Sequence, residues 1–291
     1  MRNRVIGSIT AALLALAFSS AALAQQRGAG RGAGAAQPSV PHDPHDLNGV
    51  WLLSGGGGGA AGATHFSPWV GDKDPEFTPE GAKLLASHKP SEGPRRVEPI
   101  LQNDPQSGGN PPGILRTMIY GRPFQMIQLN DSVFQIFEWY HVWRQVWTDG
   151  RELPSREEAD PWWYGHSSAK WVGDTLVVQT VGLDNRAFMD NWGGAFSDIT
   201  TVEERWHRVD RDTLELTLTI DDPKTFTKPW TAKKLTYKLQ PKGSENGELY
   251  EVIFAPMDEE VFNRNIVKAG AYGNDSDKNK SNDEQRKPGA R

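Results

Sequence analysis

The sequence predicts an all-β protein, a single antiparallel barrel of about eight to ten strands with one or two short helices. Three observations carry this. Runs of β-branched and aromatic residues alternate with polar ones at a period of two. Adjacent runs are joined by short turn signals with no crossover helices, which favours antiparallel neighbours and closure of the sheet. The 291 residues include no Cys, so the fold must rest on a buried core and not on disulfides.

Leu47 to Leu53 reads as the opening strand, followed by a Gly-rich loop over Ser54 to Gly62. Thr78 as N-cap, Pro79 at the first helical position and Glu80 start a helix through Ala86. Lys89 to Gly113, rich in Pro, Asn and Gly, is a long irregular segment, of the kind that is often functional. Phe124 to Leu129 and Val133 to Trp139 flank a turn at Asn130-Asp131, and the second run continues through Tyr140 to Trp147. It stops at Thr148-Asp149-Gly150-Arg151. Ala169 to Val172 and Thr175 to Val181 form a hairpin about Gly173-Asp174. Thr201 to Val209 and Thr213 to Ile220 form another, its second strand alternating Leu214, Leu216, Leu218 and Ile220 with polar residues. Lys233 to Leu239 and Leu249 to Phe254 close the set.

The termini have a different composition. Arg2 and Arg4, the apolar stretch Ala11 to Phe18 and the small-x-small site Ala22-Leu23-Ala24 form an export signal over residues 1–24. Residues 25–41 are a Gly/Arg/Ala-rich tether, 42–270 the barrel domain, and 271–291 a polar tail too hydrophilic to fold. The expected location is periplasmic or secreted, with no integral membrane segment after signal cleavage. A net charge of −5 without a long basic block argues against nucleic acid as a partner. There is no nucleophile elbow, phosphate loop or dinucleotide fingerprint, so serine-hydrolase, kinase and nicotinamide chemistry are poor fits. No cofactor is expected. His42-Asp43-Pro44-His45 lies beside the tether and reads as surface, and no short ligand spacing supports a metal site.

Gly49-Val50-Trp51 and Trp171-x-Gly173-Asp174-Thr175-Leu176-Val177-Val178 are similar to the calycin, or lipocalin-like, barrels, in which Gly-x-Trp opens the first strand. Further patches resemble a large, uncharacterised family of exported proteins of Gram-negative bacteria. They are His141 to Gln145, Thr148 to Arg151, Trp171 to Thr180 and Asp221-Asp222-Pro223-Lys224 through Thr227-Lys228-Pro229-Trp230. Together they span roughly residues 45–255. The resemblance implies a barrel and export, and says almost nothing about chemistry. Members of that family commonly carry a Cys before a Pro-Pro-Gly stretch. Asn110 precedes Pro111-Pro112-Gly113 here, so that position offers no thiol.

A barrel of this size has an interior just wide enough for side chains or one small ligand, which places function in the lumen or at its mouth. Glu138, Tyr140, His141, Trp143 and Arg144 form the densest polar cluster. With Phe134 and Ile136 inward, Glu138, Tyr140, Val142 and Arg144 share their face, and a bulge between Trp139 and His141 brings His141 inside instead. The cluster is either an acid/base pair with an anion clamp or an internal Glu138–Arg144 ion pair with His141 as a wall residue. Trp162, Trp163, Tyr164 and His166 make an aromatic mouth loop, either a stacking platform or a packed lid. Asp184 and Arg186 end a strand, where they either bind substrate or form an Asx-turn with a surface pair. Arg205 and His207 face solvent or lumen according to register.

Two functions follow. The first is an exported enzyme doing acid/base chemistry on a small organic molecule, sugar-like or aromatic, as a lyase, hydratase, isomerase or glycoside-cleaving enzyme. Its catalytic groups are Glu138, His141, Arg144 and His166, with Tyr140, Trp162, Trp163, Asp184 and Arg186 binding substrate. The alternative is a lipocalin-like carrier without turnover.

Overall fold

A computed structural model describes residues 40–54 and 74–251. The expected export signal, the polar tail and all but the last two residues of the tether lie outside the described residues. Ten strands form one sheet: β1 (Gly49–Leu53), β2 (Phe124–Gln128), β3 (Ser132–Phe137), β4 (Trp143–Trp147), β5 (His166–Val172), β6 (Thr175–Val181), β7 (Thr201–Asp210), β8 (Thr213–Asp221), β9 (Trp230–Thr231) and β10 (Leu235–Leu239). Nine close into a ring, because β10 pairs both β1 and the first half of β8. β9 continues along the same edge of β8 at Thr219 and Ile220. Among the described residues two α-helices complete the fold, α1 (Pro79–Ser87) and α2 (Ile114–Met118). None of the described helices is long and apolar enough to cross a membrane.

Period-two patterning decides what fills the bore. Trp51, Phe124, Val146, Val178, Trp206, Leu216 and Tyr237 all belong to one buried cluster. Phe124 lies 5.9 Å from Trp206 and 5.1 Å from Tyr237, both edge to face, an arrangement that adds about 1 kcal/mol beyond area burial. The Tyr237 hydroxyl donates to the Met118 carbonyl of α2 at 2.8 Å, and burial pushes the Tyr237 phenol up in pKa. Side chains therefore pack this level of the bore, leaving it a core and not a ligand chamber.

Three expectations change, and the strand parity that the sequence left open is decided. The barrel is not wholly antiparallel: β4 and β5 run parallel, through only two residue pairs, Val146 with Ser167 and Trp147 with Ser168. The run from Val133 to Trp147 is not one strand. It folds at Glu138–His141 into two paired strands, and Tyr140 and His141 carry left-handed φ of 63° and 48°. No Gly, Pro, Asn or Asp marks that turn in the sequence, which is why periodicity alone reads through it. Phe134 and Ile136 turn outward, while Val133, Gln135 and Phe137 are buried. Leu249 to Glu251 form no strand, and residues 252–254 lie outside the described residues.

Turn chemistry explains the last hairpin. A register shift between Arg208 and Asp210 pairs Arg208 with Leu214. Glu204, Trp206 and Arg208 are thereby buried and Arg205 is exposed, with His207 half-buried. Arg208 lies over the Trp51 ring, 5.5 Å from its centroid, at the strand where Gly-x-Trp opens the barrel.

The Asp221-to-Trp230 string is a structural clip. Asp222 is buried and accepts from Ser197 N, Ser197 Oγ, Thr200 Oγ1 and Thr225 N. Burial alone raises its pKa, but these donors win and hold the carboxyl below its ordinary range. Thr225 then meets α1: a Cβ on Gly81 would stand 2.1 Å from the Thr225 carbonyl oxygen. The helix can sit there only because position 81 has no side chain.

Candidate functional site

The weakest seam in the wall is the β4–β5 pairing, and the cleft of interest opens there. It has a volume of about 880 Å³ and is bordered from both sides of the seam, by Val142 to Gln145 and by Pro161 to Ser167. Trp143, Gln145 and Trp147 alternate with the buried Arg144 and Val146, so the cleft lies against the outer face of β4.

His141, Arg144, Trp162, Trp163, His166, Asp184 and Arg186 all border this one cleft. The sequence thus points at a common site, but the roles it assigns do not all hold. Arg144 is committed to the interior, with two hydrogen bonds to Glu204 of 2.6 and 2.5 Å and a third to Gln135 at 2.9 Å. Trp206 Nε1 donates to the same carboxylate at 2.9 Å. The internal ion pair is therefore Arg144–Glu204, not Arg144–Glu138. Glu138 caps the end of β3 instead, accepting from Tyr250 N at 3.1 Å beside Arg122 at 3.8 Å. Neither Glu138 nor Tyr140 borders the cleft. The fold at 138–141 removes both from the parity that would align them with Arg144.

The two histidines are oriented by backbone. His141 Nε2 lies 3.2 Å from the Tyr250 carbonyl and His166 Nε2 lies 3.0 Å from the Asp160 carbonyl. A carbonyl oxygen only accepts, so each Nε2 carries the proton, and a neutral His166 holds its lone pair on Nδ1. The His166 ring also sits 4.4 Å from Trp162. Gly165 and Gly182 allow this loop to lie flat on the wall: their φ values are positive, and a Cβ on either would strike Val181 O or Asp160 O within 2.7 Å. Trp162 N then donates to Gly182 O, and Asp184 N to Trp162 O.

Asp184 and Arg186 adopt the Asx-turn reading. Arg186 N donates to Asp184 Oδ1 at 3.0 Å, while Nε and Nη2 form a bidentate pair with the same carboxylate. Arg186 lies over the Trp163 ring at 4.9 Å, and its presence holds the Asp184 carboxyl below the usual range. On the other side of the cleft the same device recurs. Arg151 pairs with Asp149 through Nε and Nη2, at 3.0 and 2.6 Å, and stacks 3.5 Å from the Trp147 centroid. Arg151 likewise holds the Asp149 carboxyl low.

Trp147 and Arg151 are the site residues that reading from the sequence missed. Their signal was the repetition of Asp-x-Arg, at 149–151 and at 184–186, with a Trp available to each. Among the described residues no group of three or more His, Asp or Glu is placed to hold a metal ion. No protein-family model, curated protein or solved structure matches the chain.

Proposed function

We propose that this protein binds a small ring-bearing organic ligand, sugar-like or aromatic, in the cleft on the barrel wall. One observation carries the reading: four Trp and two pre-held Arg border a single cleft of about 880 Å³, within the usual range for small-molecule sites. Trp143 and Trp162 are 59% and 60% exposed even with Phe134 and His166 beside them, a large apolar surface to leave in water. Calorimetric or fluorescence titration tests it. Trp162→Ala and Arg186→Ala should each weaken binding by about tenfold, the scale of one good stacking or charge-assisted contact. Unchanged affinity in both would place the ligand elsewhere.

Turnover is the second reading, favoured by the His166 tautomer. A proton held on Nε2 by the Asp160 carbonyl leaves Nδ1 as a base. In an enzyme, His166→Ala and His141→Ala should abolish product formation while most affinity survives. A carrier shows no turnover to lose. Export to the periplasm or medium belongs to this proposal on the strength of residues 1–24.

A further inference from the structure

The charge balance of the cleft narrows the ligand class, on the premise that the ligand binds there. Each of the two guanidinium groups on the cleft side of the wall has its own carboxylate, Arg151 with Asp149 and Arg186 with Asp184, while that of Arg144 is turned into the bore to Glu204. Glu152, also at the border, adds a further negative charge. Among the described residues an anionic ligand finds no unpaired arginine or lysine there, and a cationic one must approach guanidinium groups.

What the cleft does offer, apart from Glu152, is polar groups whose charges are already paired with one another. Each of the two outer pairs engages Nε and Nη2 of its arginine, which leaves the two Nη1 hydrogens outside the pair. The paired carboxylates keep lone pairs that can accept from hydroxyls. Both guanidinium groups lie over a Trp ring and are fixed by a bidentate bond, so little side-chain entropy is lost when they bind. Beside them stand the indole faces of Trp143 and Trp162. We infer that the ligand is a neutral saccharide, whose C–H ring faces lie on indole while neighbouring hydroxyls bridge arginine Nη1 and the paired carboxylate.

The test uses the whole protein and calorimetric titration with maltotriose, cellotriose, tri-N-acetylchitotriose and trigalacturonate, against salicylate and 4-hydroxycinnamate. At least one neutral trisaccharide should bind, and Trp162→Ala should weaken it tenfold or more. Asp149→Asn keeps the oxygen that accepts from Arg151 N but removes the charge that balances Arg151. That variant should gain severalfold in affinity for trigalacturonate and not for the neutral sugars. Binding of salicylate or 4-hydroxycinnamate alone, with Trp162 dependence, overturns the saccharide assignment and leaves the cleft as the site. Saccharide binding indifferent to Trp162 and Arg186, or no binding by any of these probes, overturns the cleft reading as well.

Discussion

Arg144 and Arg186 make the same bond, a bidentate grip on a carboxylate, in two regions that use it differently. The Arg144 side chain is 3% exposed and its partner Glu204 is 0% exposed, whereas Arg186 is 68% exposed above an 8% exposed Asp184. In the bore, every polar atom around Arg144 is answered by another side chain, from Gln135 to the Trp206 indole. On the wall, the pair is answered on one edge only. A buried pair holds strands β4 and β7 in one arrangement across the bore, while an exposed pair presents a rigid hydrogen-bonding edge to whatever enters the cleft.

The largest test of that contrast is Glu204→Gln. Removing one partner leaves Arg144 buried and uncompensated, so unfolding in denaturant should show a loss of about 3–5 kcal/mol. Adding Arg144→Met should recover part of it, limited by the Gln135 and Trp206 polar atoms left behind. A loss near zero would mean water reaches the pair and the bore is not packed.

Next is His88, a titratable group on the buried side of the comparison. It stacks on Phe188 at 4.2 Å and its Nδ1 donates to the Gly193 carbonyl at 3.1 Å. Burial is the main cause that lowers its pKa to about 4. Between about pH 6.5 and 4 the unfolded chain takes up a proton that folded His88 refuses, so stability is full above that window and falls as pH drops through it. The shift corresponds to about 3 kcal/mol. Denaturant melts at pH 7.5 and 4.5 should show a larger acid loss for wild type than for His88→Gln, which keeps a donor for Gly193. Equal losses would mean that His88 is hydrated in the fold.

The smallest stability effect belongs to the wall. Arg186→Ala should cost about 1 kcal/mol or less, as exposed pairs do, even though the proposed binding role has it weaken ligand affinity. A stability loss as large as that of Glu204→Gln would erase the distinction between the two regions.

Much of the barrel is legible in the sequence, because alternation of the Leu214-to-Ile220 kind survives only in a strand with one dry face. Thr78 and Pro79 are equally plain, and Thr78 Oγ1 does accept from Gly81 N at 2.9 Å. The turn at Glu138–His141 is not legible, since two residues with side chains occupy left-handed backbone there and no local preference announces it. The parallel β4–β5 seam is hidden for another reason: strand direction depends on the path of residues 148–165, which carry no strong local pattern. That seam moves the candidate site from lumen to wall. Composition could name the Trp, His and Arg residues that gather there, but the partner of Arg144 lies 60 positions away and was out of reach.

The central claim is that ligand lies on the outer face of the barrel at the β4–β5 seam. Fluorine NMR of protein labelled with 5-fluorotryptophan, with each resonance assigned by single Trp→Phe variants, reads this directly during titration with a saccharide that binds. The signals of Trp143, Trp147, Trp162 and Trp163 should move, while those of Trp51 and Trp206 in the packed bore stay in place. Movement of Trp51 and Trp206 with the four cleft signals still would contradict the account.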